Sequence, residues 1–349
     1  MTGLLIKLGF LVWPFGNLLN FDIGGIRFAA LDLVVALIIL SALPELIRKR
    51  AKIISSPLFL PIAAFLSMAA LSLLVRLPEI GLSPRPILYL ARLAAYFSFY
   101  FVFLVHSPKK YTDYLKLTVF LFVIFSLVQY FFFPDMRSIK YLGYDDHYFR
   151  LIGPLFDPNF TGAIISSMSL FLFAKGWIKP ALFLLIPLGL TFSRASYVSF
   201  LFPMLAFAWL RKKYIVLLFP LLLAIIIFLA PKPFGEGVNL TRTFSIVSRI
   251  ESSKQGINLF LQRPIFGWGY NTLVSGEVRI GIDNSFIFLL STTGIFGLGS
   301  LLYFLKASLQ NRSLALKLAL TSLIIHSFFN NTLIFPWTLS FWLVLLATD

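Results

Sequence analysis

The feature that most constrains this chain is its series of long apolar runs. Runs of about 15 to 22 mostly hydrophobic residues recur along the chain, roughly the length of helix that spans the hydrocarbon core of a bilayer. Charged residues make up only 13% of the chain and lie in short clusters between these runs. Because 59% of the residues are hydrophobic, a water-soluble domain of this length would leave much apolar surface exposed. The sequence therefore predicts an all-α, polytopic integral membrane protein.

The apolar runs predict about 12 transmembrane helices in a single transmembrane domain, residues 1–349. We interpret residues 4–20 as the first span rather than a signal peptide, since further spans follow and no small-residue cleavage site is seen. The predicted spans are residues 4–20, 28–47, 57–75, 86–105, 115–133, 159–175, 180–193, 196–210, 214–230, 285–305, 314–330 and 336–347.

The net charge of +16 is explained largely by this topology and does not indicate nucleic acid. If both termini are cytoplasmic, most basic clusters fall in the inner loops, as the positive-inside rule requires. Arginines that fall on the outer side are not needed for orientation and call for another reason. The inner basic residues are Lys7, Arg48, Lys49, Arg50, Lys52, Lys109, Lys110, Lys116, Lys175, Lys179, Arg211, Lys212, Lys213, Lys306, Arg312 and Lys317.

Two predicted outer loops are long, residues 134–158 and residues 231–284. Loops of this length on one face are usually functional rather than mere connections. The second loop precedes the tenth span and contains an amphipathic stretch with Ile246, Ile250 and Ile257 on one helical face. That pattern predicts a helix lying in the membrane interface.

Two arginines stand at the outer ends of spans. Arg150 precedes the helix start Asp157-Pro158-Asn159, where a guanidinium and free backbone N–H groups could hold a phosphate. A helix cap with a snorkelling arginine explains the same residues. Ser193-Arg194 joins two short spans, and a charge at that depth is unfavourable unless it faces a polar cavity.

The second outer loop contributes two further candidates. Arg249 lies on the amphipathic stretch, where anchoring to anionic membrane lipid and a catalytic role are both open. The run from Arg263 to Gly269 contains a Gly-x-Gly pair, but without a preceding strand a structural turn is favoured over a phosphate loop.

Asp283-Asn284 begins the tenth span. Asp283 could cap the helix N-terminus. It could also act as a general base that takes a proton from a sugar hydroxyl. Both roles can coexist.

Metal chemistry is not indicated. His106, His147 and His326 lack metal-ligand spacing, and the chain has no Cys. We interpret His326 as part of an interhelical hydrogen bond, with cavity lining as the alternative.

These segments, in this order among the spans, resemble the O-antigen polymerase and O-antigen ligase superfamily. The matching elements are Arg150 to Asn159, Phe192-Ser193-Arg194-Ala195, Ser248-Arg249 to Gly269, and Asp283-Asn284 followed by Leu290 to Leu298. The resemblance covers about residues 145–345.

The resemblance implies a helical membrane glycosyltransferase (GT-C-like) fold with a large periplasmic loop, residues 231–284, in the bacterial inner membrane. Its donor would be a glycan on undecaprenyl diphosphate, and neither metal nor cofactor would be required. Arg150, Arg194 and Arg249 would bind the diphosphate. Asp283 would be the catalytic base, with Asn159, Ser193, Asn284 and His326 in supporting positions.

One departure guides the choice within the superfamily. Ligases typically carry His-Asn where this chain has Asp283-Asn284, which favours the polymerase branch, with a second lipid-linked glycan as acceptor. The first alternative is a ligase that transfers the glycan to lipid A-core. The second is a transporter or flippase, for which Asp32 and Arg92 are the clearest ionisable candidates within spans.

Overall fold

A computed structural model describes residues 1–23, 26–81, 84–106, 111–233, 235–273 and 280–348. The helices are α1 (Thr2–Val12), α2 (Ala30–Arg48), α3 (Arg50–Ile54), α4 (Phe59–Ile80), α5 (Pro84–His106), α6 (Thr112–Phe132), α7 (Pro158–Ala174), α8 (Ile178–Phe183), α9 (Leu185–Leu190), α10 (Arg194–Arg211), α11 (Leu218–Leu229), α12 (Phe244–Gln262), α13 (Ser285–Leu309), α14 (Leu314–His326) and α15 (Pro336–Thr348). Short 3-10 helices cover Trp13–Leu19, Arg137–Leu142, Gly153–Leu155, Tyr214–Leu217 and Glu236–Val238.

The predicted spans coincide with helical segments, and the chain is a multi-pass membrane protein. Within the described ranges, six segments are long and apolar enough to cross a membrane: Thr2–Leu19, Ala30–Arg48, Phe59–Glu79, Pro84–His106, Asp113–Phe132 and Ser285–Leu309. The segments Pro158–Ala174, Ile178–Leu190, Tyr214–Leu229, Leu314–His326 and Pro336–Thr348 are apolar but shorter. A total of twelve spans and the GT-C-like fold stay predictions.

Two details differ from the expected all-α bundle. The seventh predicted span consists of two six-residue helices, α8 and α9, and α9 contains Pro187, a residue that disrupts helix continuity. A short antiparallel hairpin, β1 (Asn20–Ile23) and β2 (Ile26–Ala29), follows the first span. Phe21 and Phe28 are paired across it with ring centroids 6.0 Å apart, so an aromatic cross-strand pair stabilises strands too short to predict from hydropathy.

The two ends of the bundle differ in chemistry. At one end, Lys49 and Lys52 donate to the last carbonyls of α5, and Arg312 donates to that of Leu346. We call this end the basic face, because the predicted inner clusters lie in its loops. Lys109, Lys110 and Asp349 lie outside the described residues. The opposite end, the site face, carries the two predicted outer loops.

Helix α13 is kinked, and the Gly267-Trp268-Gly269 turn packs into the kink. Gly294 has φ +69°, which breaks the regular helix. The carbonyls of Ser291 and Thr292 accept hydrogen bonds from the N–H groups of Trp268 and Gly269, at 2.9 and 2.8 Å. The glycine-containing run is therefore a structural turn, as predicted, since it supplies the donors that the kinked helix lacks.

The second outer loop is built around α12. The predicted amphipathic stretch is helical from Phe244 to Gln262, and its Gly256 lies against α13. A Cβ at Gly256 would lie 2.5 Å from Ile287 Cγ2, so only glycine allows the helix to pack this closely. Close packing holds Arg249 of α12 near Asp283 at the start of α13. Residues 234 and 274–279 of this loop lie outside the described part.

Candidate functional site

A cavity of about 770 Å³ lies on the site face between the two outer loops. We call it the arginine cavity. Its size is within the range of about 300 to 1,000 Å³ that is usual for small-molecule sites. Its walls are Arg137, Asp145, Asp146, His147, Tyr148, Arg150, Asp157, Asn159, Phe160, Gly235, Gly237, Arg242, Phe244, Ser245, Ser248, Arg249, Asp283, Asn330 and Asn331.

Arg150 is a buried arginine in the wall of the arginine cavity. Its guanidinium is buried and donates to the carbonyls of Thr191 and Phe192, at 3.0 and 3.2 Å. Burial, with a smaller contribution from the nearby Arg242 guanidinium, lowers the pKa of Arg150 to about 9. A lowered pKa means that the charged form is poorly stabilised here, so an anion entering the cavity would be favoured.

Arg249 projects from α12 at one side. Nε donates to the Phe329 carbonyl at 3.0 Å, and Nη2 donates to Asn330 Oδ1 at 3.3 Å. These bonds orient the guanidinium and use two of its five N–H donors. Burial lowers the pKa of Arg249, and the negative charge of Asp283 opposes that effect.

Arg242 is a cavity arginine that sequence reasoning missed. It donates to the carbonyls of Gly237, Asn239 and Phe192, at 2.8, 2.8 and 3.1 Å. No motif surrounds it in the loop. Its position on the predicted outer side was the only indication, because arginine is not needed there to orient the chain in the membrane.

The electrostatic balance of the cavity is unusual. In the described ranges, ion pairs form at Arg76, Arg92, Arg137 and Arg263, and none of them involves Arg150, Arg194 or Arg249. Neutral carbonyls, amides and a hydroxyl hold these three guanidinium groups instead. These three guanidinium groups are therefore oriented by neutral acceptors, and the nearby carboxylates of Asp157 and Asp283 only partly offset the charges of Arg150 and Arg249. Oriented guanidinium groups of this kind suit an anion site.

Arg194 lines a second opening, a groove of about 480 Å³ that we call the apolar groove, and does not line the arginine cavity. Arg194 donates to the carbonyls of Leu240 and Arg242, at 3.1 and 2.9 Å, and to Ser245 Oγ at 2.7 Å. It thereby fixes the segment that leads into α12. The groove is lined by Arg194, Ala195, Val198, Ile246, Arg249, Ile250, Ser253, Lys254, Ile257, Phe328 and Phe329.

The apolar face of α12 thus lines this groove. Ile246, Ile250 and Ile257 are 46, 50 and 43% exposed. Arg249 lines both the groove and the arginine cavity. The two openings are therefore adjacent, with an apolar end and a cationic end.

Asp283 lies in the wall of the arginine cavity, half-buried. It is not the helix cap: Asn284 is, with Oδ1 accepting from the N–H groups of Phe286 and Ile287 at 2.9 and 3.1 Å. In the parts of the chain that are described, no hydrogen bond to the Asp283 carboxylate is found. Burial raises the pKa of Asp283, while Arg249 acts in the opposite direction. A carboxylate that accepts no hydrogen bond from the described residues and lies near an arginine is suited to act as a general base.

The supporting residues form a buried network behind the cavity. Ser193 caps α10 and donates to Asn159 Oδ1 at 2.8 Å. Ser196 Oγ lies 2.9 Å from Ser193 Oγ and 3.3 Å from His326 Nε2, and His326 Nδ1 lies 2.6 Å from Thr332 Oγ1. His326 is fully buried, in line with an interhelical hydrogen bond rather than cavity lining. The network joins α7, α10 and α14 below the cavity.

His147 is the second residue that sequence reasoning missed. It lines the arginine cavity and is 9% exposed. Burial, and then the charges of Arg150 and Arg242, lower the pKa of His147 to about 3. The imidazole is therefore neutral at neutral pH and a weak base compared with a carboxylate whose pKa is raised.

Residues 180–302 match the family model described as O-antigen ligase. The matched part contains Arg194, Arg249 and Asp283, and it begins after Arg150. This match confirms the resemblance to the O-antigen polymerase and ligase superfamily and supports that type of function. No curated protein matches the chain.

Proposed function

We propose that this protein is a glycosyltransferase that polymerises glycan repeat units carried on undecaprenyl diphosphate. The observation that carries the proposal is the continuity of the apolar groove with a cavity in which neutral acceptors hold Arg150 and Arg249 and whose wall includes the Asp283 carboxylate. An amphiphile with a long apolar chain, a diphosphate and a sugar has the same order of chemical groups.

The donor would lie with its lipid chain in the apolar groove. Its diphosphate would meet Arg249 and Arg194 at the head of the groove, with Arg150 and Arg242 deeper in the cavity. Arginine suits this task because its planar fork can donate two hydrogen bonds to one phosphate. Binding would also offset the burial, and the smaller repulsion from Arg242, that lower the pKa of Arg150.

The transfer step would use Asp283 as the general base. Its carboxylate takes the proton of an acceptor hydroxyl while the hydroxyl oxygen forms a bond to the anomeric carbon of the donor sugar. The bond from that carbon to the diphosphate oxygen breaks, and undecaprenyl diphosphate leaves with the electron pair. Negative charge grows on the leaving group in the transition state, where oriented arginines stabilise it without reorganisation. We propose that neither a metal ion nor a cofactor takes part.

The polymerase branch is favoured by Asp283-Asn284 at the position where ligases typically have His-Asn. The acceptor would then be a second lipid-linked repeat unit. A ligase that uses lipid A-core or another acceptor is the second candidate, favoured by the description of the matching family model.

Transport is less well supported. The candidate ion carriers Asp32 and Arg92 form a closed pair, with Nη2 to Oδ2 at 2.7 Å and Nε to Oδ1 at 2.8 Å. Asp32 also accepts from Tyr96 at 2.9 Å and from the Ala29 N–H at 2.9 Å. A carboxylate that accepts from four donor atoms has a structural role and is not available to bind a transported ion.

For location, we propose the bacterial inner membrane with the site face in the periplasm. Because the native chain has no Cys, single cysteines at Lys232 and Lys212 would report the side of each loop without background. An impermeant maleimide should label position 232 in intact cells and leave position 212 unlabelled. The opposite result would invert the orientation.

Product analysis separates the two enzyme types. Purified protein given only undecaprenyl-diphosphate repeat units should make a ladder of longer lipid-linked glycans. A ligase would make product only after a different acceptor is added. No glycan transfer with either acceptor would overturn the proposal.

A further inference from the structure

A second cavity of about 340 Å³ opens on the site face beside the arginine cavity. We call it the tyrosine cavity, because Tyr89, Tyr96, Tyr144 and Tyr270 contribute to its walls. It lies between the β-hairpin and the N-terminal end of α15. None of the sequence motifs pointed to it.

The charges of the tyrosine cavity are largely satisfied within the protein. Arg92 is paired with Asp32. Arg27 donates to the Leu142 carbonyl at 2.6 Å, and its guanidinium carbon lies 4.8 Å from the centre of the Tyr144 ring. This cavity therefore contains two arginines where the arginine cavity contains four, and one of the two, Arg92, is paired with a carboxylate.

Its neutral polar groups are less well satisfied. Asn20 Oδ1, Asn331 Oδ1 and Trp337 Nε1 are buried atoms without a hydrogen-bond partner in the described part of the chain. Trp337 is only 2% exposed. Leaving a buried polar atom unpaired is unfavourable. A ligand must both donate and accept to pair with atoms of both kinds, and a sugar hydroxyl does both.

The walls also suit the apolar surface of a sugar ring. Phe335 and Trp337 lie with ring centroids 5.2 Å apart and both line the cavity. The faces of aromatic rings carry partial negative charge, which attracts the polarised C–H groups of a pyranose. Carboxamides, phenols and an indole together are the groups expected around a neutral saccharide.

Asn331 connects the two cavities, since it lines both. Its Nδ2 donates to the carbonyl of Ile282, the residue before Asp283. The order along the site face is thus the apolar groove, the arginine cavity and the tyrosine cavity. A ligand with lipid, diphosphate and sugar parts would reach them in that order.

We infer that the tyrosine cavity is a saccharide-binding subsite. It holds a sugar next to the place where Asp283 takes the proton of the acceptor hydroxyl. The inference rests on the proposed function. The sugar can belong to the donor glycan or to the acceptor glycan, and the two sources are separated by the test below.

The test compares two ligands on the full chain in lipid nanodiscs. One is undecaprenyl diphosphate, and the other is undecaprenyl diphosphate carrying the glycan repeat unit. Trp337→Phe keeps a benzene ring and removes the pyrrole part of the indole with its orphaned N–H. We expect it to weaken binding of the glycan-bearing lipid by about two- to tenfold, the scale of one lost hydrogen bond. Binding of the bare lipid should not change. Asn20→Ala, which removes an orphaned acceptor, should act in the same direction.

Trp342→Phe is the matched control. Trp342 lies on the same helix, is 1% exposed and also has a buried Nε1 without a partner among the described residues, but it is not in the cavity wall. It should leave both affinities unchanged.

The outcomes separate as follows. If Trp337→Phe and Asn20→Ala spare donor binding but raise the acceptor KM by about the same factor, the sugar is that of the acceptor. If neither donor binding nor acceptor KM changes, or if both lipids lose affinity equally, the subsite is rejected. If the wild-type protein does not bind the bare lipid, the proposed function fails instead, and a free repeat-unit oligosaccharide then tests the subsite by the same variants.

Discussion

Arg249 and Arg263 belong to the same helical segment, and their surroundings are opposite in kind. Arg263 ends α12 and makes a bidentate pair with Glu79, both bonds being 2.8 Å, while its guanidinium carbon lies 4.7 Å from the centre of the Trp268 ring. Arg249, in the second turn of α12, is held by the Phe329 carbonyl and the Asn330 side-chain amide oxygen. One guanidinium forms a bidentate pair with a carboxylate, and the other is held by neutral acceptors with the Asp283 carboxylate nearby.

This difference separates structural from functional arginines. A paired, partly exposed arginine contributes little beyond its local contact. An arginine held by neutral acceptors in a cavity keeps its field available to a ligand. Variants at and near Arg263 are therefore the internal controls for variants at and near Arg249.

The largest effect is expected at the carboxylate beside Arg249. Asp283→Asn should abolish transfer, because an amide cannot take the proton of the acceptor hydroxyl. The variant should still fold and bind the lipid-linked donor, measured by direct binding to the purified protein. Full activity of Asp283→Asn would show that Asp283 is not the general base.

Arg249→Ala should lower turnover by about two or more orders of magnitude, the scale for losing one key electrostatic stabiliser. Arg194→Ala should have a similar effect, and Lys at either position should restore activity only in part, since a point charge replaces a planar fork. Arg263→Ala should stay within about twofold of the wild type, because losing an exposed pair affects stability by only about 0 to 1 kcal/mol. Initial rates for all variants at equal folded concentration would check this. If Arg249→Ala and Arg263→Ala lose activity equally, the distinction between a functional and a structural arginine is wrong.

A smaller effect is expected from filling the apolar groove. Ile250→Trp adds a ring beside Arg249 and should raise the donor KM by about tenfold, equal to about 1.4 kcal/mol of binding. Leu261→Trp is the control, because Leu261 is 67% exposed near Arg263 and is not in the groove wall. An unchanged KM for Ile250→Trp would exclude the groove as the lipid site.

The smallest effect is a shift of the pH profile. Asp283 must be ionised to act as a base, so the rate should fall as the pH drops through its pKa. Burial raises that pKa above the ordinary value of about 3.9, so activity should be lost at a higher pH than for an exposed Asp.

Arg249→Gln removes a charge that lowers the pKa of Asp283, so it should move the acidic limb to still higher pH. Arg263→Gln should leave the limb where it is. The profile of kcat/KM for the residual activity measures both. If the acidic limb of the pH profile does not move in Arg249→Gln, the group that controls the rate at low pH is not Asp283.

Hydropathy was enough to predict the helical segments, because each apolar run must satisfy its backbone internally in a membrane. It could not predict the β-hairpin, whose stability comes from the Phe21 and Phe28 contact, or the break between α8 and α9. The kink at Gly294 was also missed, since it depends on hydrogen bonds from the distant Trp268 turn.

For the candidate site, the structure brings several of the predicted residues together, and their roles stay predictions. Arg150, Arg249 and Asp283 were predicted and lie in one cavity, whereas Arg194 lines the groove and not that cavity. The cap was assigned to the wrong member of Asp283-Asn284, because either side chain fits that position locally. Arg242 and His147 were missed because only tertiary packing of the two outer loops brings them together.

The most direct test of the unpaired arginines is an electron cryo-microscopy map of the protein in nanodiscs with undecaprenyl diphosphate. We expect diphosphate oxygens within about 3 Å of the guanidinium groups of Arg249 and of Arg194 or Arg150, the distance of a charge-assisted hydrogen bond. The lipid chain should run along Ile246, Ile250 and Ile257. Diphosphate density beside Arg263 or Arg92, with the arginine cavity empty, would contradict the account.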